Sequence, residues 1–166
     1  MKRKKLIINA RPLDNQNAGI YRFTYELINA LHEFEALPYD VILLREKKDN
    51  TFPKFETIVL PNITFIPGYE LILIFLIIPY LSRKLNPDIV FEPAHIGPYF
   101  LPTSVTRVTF IHDLTPILFP EFHTFLSSRL QKILLPGILK RANVIICNSM
   151  NTLTDLKKVY PNISHK

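Results

Sequence analysis

At 166 residues, with 48% of them hydrophobic and a formal net charge of +6, the chain has material for one domain with a real core, and two full domains would be crowded. Its single cysteine excludes an internal disulfide framework and fits a reducing compartment. The positive charge attracts nucleic acid, acidic lipid headgroups and phosphorylated substrates alike, and does not choose among them.

Lys2-Arg3-Lys4-Lys5 has the look of a secretory start, but the apolar run after it, residues 6–10, is too short for an h-region and leads into Arg11-Pro12. No secretion signal is expected, and the sequons at Asn62 and Asn162 carry no weight. Residues 5–10 read as a first buried strand, followed by a polar loop over 11–17. From Gly19, the apolar residues Ile20, Phe23, Leu27, Leu31 and Phe34 recur at spacings of three and four and predict a helix. Residues 40–45 read as a second strand, and 57–60 and 64–66 as short strand candidates closed by the turn Pro67-Gly68. Residues 69–85 form an apolar helix that ends in Arg83-Lys84 and is kinked by Pro79. Its core, residues 71–81, falls well short of the roughly 20 residues needed to span a bilayer, so burial in the domain is the reading. Strands over 88–91 and 105–111 follow, joined by a proline-rich loop. A long helix over 122–142, with a break at Pro136-Gly137, a last strand over 143–147 and a helix over 151–160 complete the chain. Cys147 reads as a small buried hydrophobe within Val144-Ile-Ile-Cys147.

Strands alternating with helices imply an α/β architecture: a single Rossmann-like domain over 1–166, with a mainly parallel sheet covered by helices on both faces. Ligands bind such sheets outside the carboxyl ends of their strands. The run 105–111 stops at His112-Asp113, which makes this pair the first site candidate, and Glu92 and His95 follow the neighbouring strand at the same sheet edge. Ser149 ends the last strand, where its ordinary role is a helix N-cap supported by Thr152 and Asp155. A lone histidine is more often structural, and His123 stays with that reading. The four glycines form neither G-x-G-x-x-G nor a Walker A loop, which disfavours dinucleotide and P-loop enzymes. Gly19 nonetheless stands at a helix start, where free N–H groups favour an anion such as phosphate, although turn chemistry is the commoner use of a lone loop glycine. Glu92, His95, His112, Asp113 and His123 match no metal-ligand spacing, so no metal is expected. No stripe of basic and aromatic residues suggests nucleic-acid binding.

Taken in order, Ile8-Asn-Ala-Arg11-Pro12-Leu13, Ala18-Gly19-Ile20-Tyr21-Arg22-Phe23-Thr24, Asp88-Ile-Val-Phe91, Phe110-Ile-His112-Asp113-Leu114 through Phe119-Pro120-Glu121, and Ala142-Asn-Val-Ile-Ile-Cys-Asn-Ser149 resemble the N-terminal domain of family 4 glycosyltransferases. These are enzymes of GT-B fold, a group that includes bacterial mannosyltransferases. The resemblance implies two Rossmann-like domains facing across a cleft, the N-terminal one mainly binding acceptor. The C-terminal one, absent from this chain, holds most of the nucleotide-diphosphate-sugar donor, and no further cofactor is implied. It implies that Gly19, with Ile20, Tyr21 and Arg22, approaches the donor's phosphates through main-chain N–H groups. His112 would lie near the transferred sugar, and Asp113 would orient His112 or its loop. Glu92, His95 and Ser149 join them as one wall of the cleft.

Where relatives often carry a second glycine in the first loop, this chain has Tyr21, which either restricts close main-chain approach to phosphate or leaves it to Gly19 alone. The implied activity is retaining transfer, without a catalytic metal, to a glycan or lipid-linked acceptor in bacterial surface-polysaccharide synthesis. The implied location is the cytoplasm, with peripheral contact at the inner face of the membrane left open, and the fragment alone would be inactive or nearly so. The competing reading is a non-catalytic binding or regulatory module on the same scaffold, since fold does not guarantee function.

Overall fold

The computed structural model describes residues 3–15, 18–61, 63 and 65–163, with Ala18 given by its main chain alone. Lys2, the end of the first loop at Gln16 and Asn17, the sequon residue Asn62, and Thr64 of the strand candidate over 64–66 therefore lie outside the described residues. The described residues build one sheet of six parallel strands: β1 (Lys4–Asn9), β2 (Tyr39–Arg45), β3 (Glu56–Val59), β4 (Ile89–Glu92), β5 (Thr106–Ile111) and β6 (Val144–Cys147). Their order across the sheet is β3-β2-β1-β4-β5-β6. The doubly wound α/β fold expected from the sequence is the one observed.

The central strands are apolar on both faces because both faces are covered. Ile7, Ile42, Leu44 and Val90 point to one face and meet Leu73 and Ile78, while Ile8, Val41 and Leu43 point to the other and meet Ile28. Ile28 belongs to α1 (Ala18–Glu33), whose buried stripe is rotated from the one the spacing predicts. Thr24 and Ile28 are fully buried, whereas Phe34 lies past the helix end and is 58% exposed. Thr24 enters the core at little cost because its hydroxyl donates to Ile20 O at 2.8 Å. Phe23 turns instead to β5, its ring 4.1 Å from that of Phe110 and 5.0 Å from that of His112.

The predicted apolar helix over 69–85 forms as three successive segments: α2 (Tyr69–Ile72), a wide π-turn (Leu73–Ile77) and α3 (Ile78–Leu85). The π-turn closes where Ile78 N–H donates to Leu73 O, directly before Pro79, which has no N–H and whose ring would crowd the carbonyl four residues back in a tighter helix. This widening sends Leu73 and Ile74, neighbours in sequence, into two different cores.

Three expectations are corrected. Phe65 and Ile66 form a turn and not a strand, with Ile66 N–H donating to Ile63 O, and the Phe65 ring is exposed. The long helix begins later than predicted: α4 (Thr115–Leu118) and a 3-10 turn (Pro120–Phe122) precede α5 (Phe125–Arg141), because Phe122 and Phe125 continue the apolar spacing while facing solvent. Finally, α5 runs unbroken through Pro136-Gly137. The carbonyl that Pro136 leaves unbonded belongs to exposed Lys132, where water can serve it, and the bare Gly137 Cα accepts the Tyr99 ring, which a Cβ at that position would overlap.

The Thr124 hydroxyl caps α5 by accepting from Ser127 N–H at 3.3 Å. Thr124→Ala lowers stability by about 1 kcal/mol in urea unfolding, the usual worth of an N-cap side chain. Leu135 and Leu139 of α5 close on Ile111 together with Leu156 of α6 (Met150–Val159), and half-buried Cys147 packs against this cluster, burial raising its thiol pKa. Among the described residues, no helix is long and apolar enough to cross a membrane.

Candidate functional site

The chain leaves β1 toward β2 on one side, and β4 returns on the other, so a crevice opens past the carboxyl ends of β1 and β4. A cavity of about 630 Å³ fills it. Asn9 and Glu92, the last residues of those two strands, make its floor, where the Asn9 side-chain amide donates to Glu92 Oε2 at 2.7 Å. Glu92 Oε1 accepts from Ala94 N–H at 3.0 Å. Only 1% of Glu92 is exposed, and burial, outweighing these two bonds, pushes its carboxyl pKa up to about 7. Gly97 makes room for it, since a Cβ there would stand 2.6 Å from Glu92 Cγ. Asn9 Oδ1 is buried and has no hydrogen-bond partner.

One rim is ionic. Arg11, in the 3-10 turn after β1, reaches Glu46 at 2.7 Å and Glu70 of α2 at 2.6 Å. Burial opposes the Arg11 charge, but these two carboxylates outweigh it and raise its pKa; the same pairing holds Glu70 below the usual carboxylate range against its own burial. Beside it, Arg45 at the end of β2 holds Asp14 at 2.8 Å and Asp49 at 2.6 Å.

The other side is organised around two histidines. His95 is buried, in the left-handed backbone region at φ 52°, a conformation that costs a non-glycine residue roughly 1 kcal/mol or more. Its Nε2 accepts from His112 N–H at 2.9 Å, so this nitrogen carries no proton. Burial, aided by nearby His112, lowers the His95 pKa to about 4, and the neutral ring therefore bears its proton on Nδ1. The Gln131 side-chain amide lies 3.1 Å from Nδ1, and an Nδ1–H donor requires the amide oxygen to face the ring. His112 is fixed at three further points. Its Nε2 donates to Pro93 O at 2.8 Å, its carbonyl accepts from the Thr152 hydroxyl at 2.9 Å, and its ring stacks on that of His95 at 5.2 Å. With Nε2 committed, Nδ1 is the ring nitrogen left open.

Asp113 lines the cavity, and its carboxylate accepts from Thr115 N–H at 2.9 Å and the Thr115 hydroxyl at 2.6 Å. Burial alone would raise its pKa, but these bonds outweigh it and hold the group below its ordinary value. Asp113 thus orders the loop that starts α4, and no hydrogen bond joins it to the His112 ring among the described residues. His123 also lines the cavity, its Nε2 3.1 Å from the Thr115 hydroxyl.

The sequence candidates separate accordingly. Glu92, His95, Asp113 and Ile20 line the cavity, and His112 backs it through His95. Gly19 is exposed in the first turn of α1 with open space where a Cβ would stand, Tyr21 stacks on Tyr25 with ring centres 6.2 Å apart, and Arg22 faces solvent. Ser149 is the N-cap of α6, accepting from Thr152 N–H at 3.1 Å, and does not line the cavity. Asn9, Arg11, Glu70 and Gln131 belong to the site and were not singled out by sequence; for Asn9 and Arg11 the signal available was their place at and just after a strand end. Among the described residues, no group of three or more His, Cys, Asp or Glu side chains is placed to hold a metal ion. Residues 18–165 match the family model described as Glycosyltransferase Family 4. No curated protein matches the chain.

Proposed function

The chain belongs to glycosyltransferase family 4, and on that premise we propose that it is the acceptor-binding domain of a retaining glycosyltransferase, taking sugar from a nucleotide-diphosphate sugar to a glycan or glycolipid in bacterial surface-polysaccharide synthesis. The observation that carries this reading is the cavity at the β1/β4 crevice, with a polar floor of Asn9 and Glu92 and with His112 locked beside it.

As the glycosidic bond of the donor breaks, charge grows on the departing diphosphate, and preorganised donors stabilise it best because they need no rearrangement. The open first turn of α1 at Gly19 supplies such donors, its main-chain N–H groups standing at the positive end of a helix, while the Nδ1 of His112, whose Nε2 donates to Pro93 O, is placed to accept a hydroxyl of the sugar. Acceptor enters the cavity, where Glu92 and Asn9 bind its hydroxyls. The donor is held largely by a second domain, so transfer belongs to the two together.

A cytoplasmic protein that touches the inner leaflet fits the outer face of α5. There Phe125, Leu126 and Ile133 are exposed beside Arg129 and Lys132, and the helix has no acidic residue.

The test uses the protein that carries this domain together with its donor-binding domain. His112→Ala lowers the rate of labelled-sugar transfer by roughly a hundredfold or more, the size of effect seen when one preorganised hydrogen-bonding group is lost, a larger effect than the accompanying loss of stability. Unchanged transfer would refute the role of His112.

A further inference from the structure

Resting on the acceptor-site reading above, we infer that His123 is a binding residue of that site: its Nδ1 accepts a hydrogen bond from a sugar hydroxyl, and Asp113 positions the ring through the Thr115 hydroxyl.

Three side chains form a chain of hydrogen bonds at the cavity wall. The Thr115 hydroxyl has one hydrogen and gives it to Asp113 at 2.6 Å, because an ionised carboxylate can only accept. Toward His123 the same oxygen is then an acceptor, so the Nε2 that stands 3.1 Å from it bears the ring proton. In the neutral imidazole the other nitrogen, Nδ1, is therefore bare. No hydrogen bond joins it to another group among the described residues, and the half-buried ring lines the cavity. The main chain on either side is also held. His123 N–H donates to Pro120 O at 3.2 Å and closes the 3-10 turn, while its neighbour Thr124 caps α5. With its Cα fixed between two elements, the Nε2 bond sets the turn of the ring.

Hydrogen-bond type and charge agree on what Nδ1 meets. Asn9 Oδ1, the unpartnered atom of the floor, is an acceptor as well. Among the described lining residues Arg11 is the one lysine or arginine, and it is engaged by Glu46 and Glu70. The cavity thus offers acceptors to a ligand that brings donors, as a sugar hydroxyl does. A carboxylate or phosphate there would meet lone pairs and carboxylates.

A histidine that only braced the Asp113 loop would need Nε2 alone. Substitution separates the two nitrogens, since glutamine places its amide near the Nε2 position and asparagine near that of Nδ1. The test is NMR titration of the chain, labelled with nitrogen-15, with the methyl glycosides of glucose, mannose and galactose in mildly alkaline buffer, where an ordinary imidazole is neutral. Without glycoside, His123 shows a protonated Nε2 and a bare Nδ1. Bound glycoside moves the Nδ1 resonance as acceptance of a hydrogen bond does and leaves Nε2 in place. His123→Asn binds that glycoside as the unaltered chain does. His123→Gln binds it roughly threefold to tenfold more weakly, the worth of one neutral hydrogen bond. Thr115→Val keeps the main-chain bond to Asp113 but frees the ring, whose nitrogens then average over both tautomers.

A proton on Nδ1, a glycoside that shifts the Asn9 amide and not His123, or His123→Gln binding as well as His123→Asn overturns the inference and leaves the cavity as the acceptor site. If no glycoside shifts either Asn9 or His123, the acceptor-site reading falls and the inference with it. Should both His123 variants fail to fold, the resonances of the unaltered ring decide.

Discussion

Arg45→Met lowers the stability of the domain by about 3 to 5 kcal/mol, the loss expected when one partner of a buried ion pair is removed and the other stays charged. Arg45 is 4% exposed and Asp14 9%. The guanidinium reaches both oxygens of Asp14, Nε at 3.2 and 3.1 Å and Nη2 at 2.8 Å, and its far side takes Asp49 at 3.2 and 2.6 Å. Without it, the Asp14 carboxylate keeps Glu46 N–H at 2.7 Å, one donor in place of a charged fork. Methionine fills much of the arginine stem's space, so the measured cost reports the stranded carboxylate more than a cavity. Urea unfolding gives the number. The double variant Arg45→Met/Asp14→Asn recovers more than half of the loss, because it removes the stranded charge. A single-variant loss below 1 kcal/mol would mean that water reaches Asp14 and the pair stabilises little.

The second large effect concerns pH. Glu92 is held up to about 7 from an ordinary 4.5, mainly by burial, and His95 is held down to about 4 from an ordinary 6.5, also mainly by burial. An acid whose pKa is raised by folding contributes stability that is present below 4.5 and lost as pH rises through about 7. A base whose pKa is lowered contributes stability that is present above 6.5 and lost as pH falls through about 4. Each displacement corresponds to about 3 kcal/mol. Between 4.5 and 6.5 the two slopes have opposite sign and nearly cancel, so the native domain shows a flat stability profile there.

Glu92→Gln removes one slope, and stability of that variant rises with pH across the same window by about 2 to 3 kcal/mol. His95→Phe removes the other and gives the opposite trend. Thermal melts every half pH unit read both, and a Glu92→Gln profile as flat as that of the unaltered domain would show that Glu92 is ionised in the fold.

Much of this architecture is written locally. The central strands are legible because their residues are apolar on both sides, as in the Ile42-Leu43-Leu44 run of β2, and helical spacing follows β1, β3, β5 and β6. The carboxyl ends were equally legible, since an apolar strand that stops at Glu92 or at His112-Asp113 marks the sheet edge where ligands bind. What sequence could not give was partnership across distance. Asn9 and Glu92 are 83 residues apart and meet only because β1 and β4 are neighbours at the crevice. Arg11 meets Glu70 across 59 residues, and Gln131 meets His95 across 36. Local spacing misled where an apolar residue served the surface, as with Phe122, Phe125 and Phe34, or where a polar one served the core, as with Thr24.

The histidine that follows β5 is held on every side but one. Its N–H is taken by a ring that Gln131 of α5 supports, its carbonyl by Thr152 of α6, and its Nε2 by the carbonyl of Pro93. Turning this imidazole toward a different bond would mean breaking its Nε2 bond to Pro93 O and its stack on His95, while the main-chain bonds fix the Cα from which the ring hangs. His112 is thus a fixed reference point, and fitting must be done by whatever comes to it. Differences in what the neighbouring cavity can hold are therefore free to arise in the rest of its lining, one residue at a time, while the geometry at His112 stays constant.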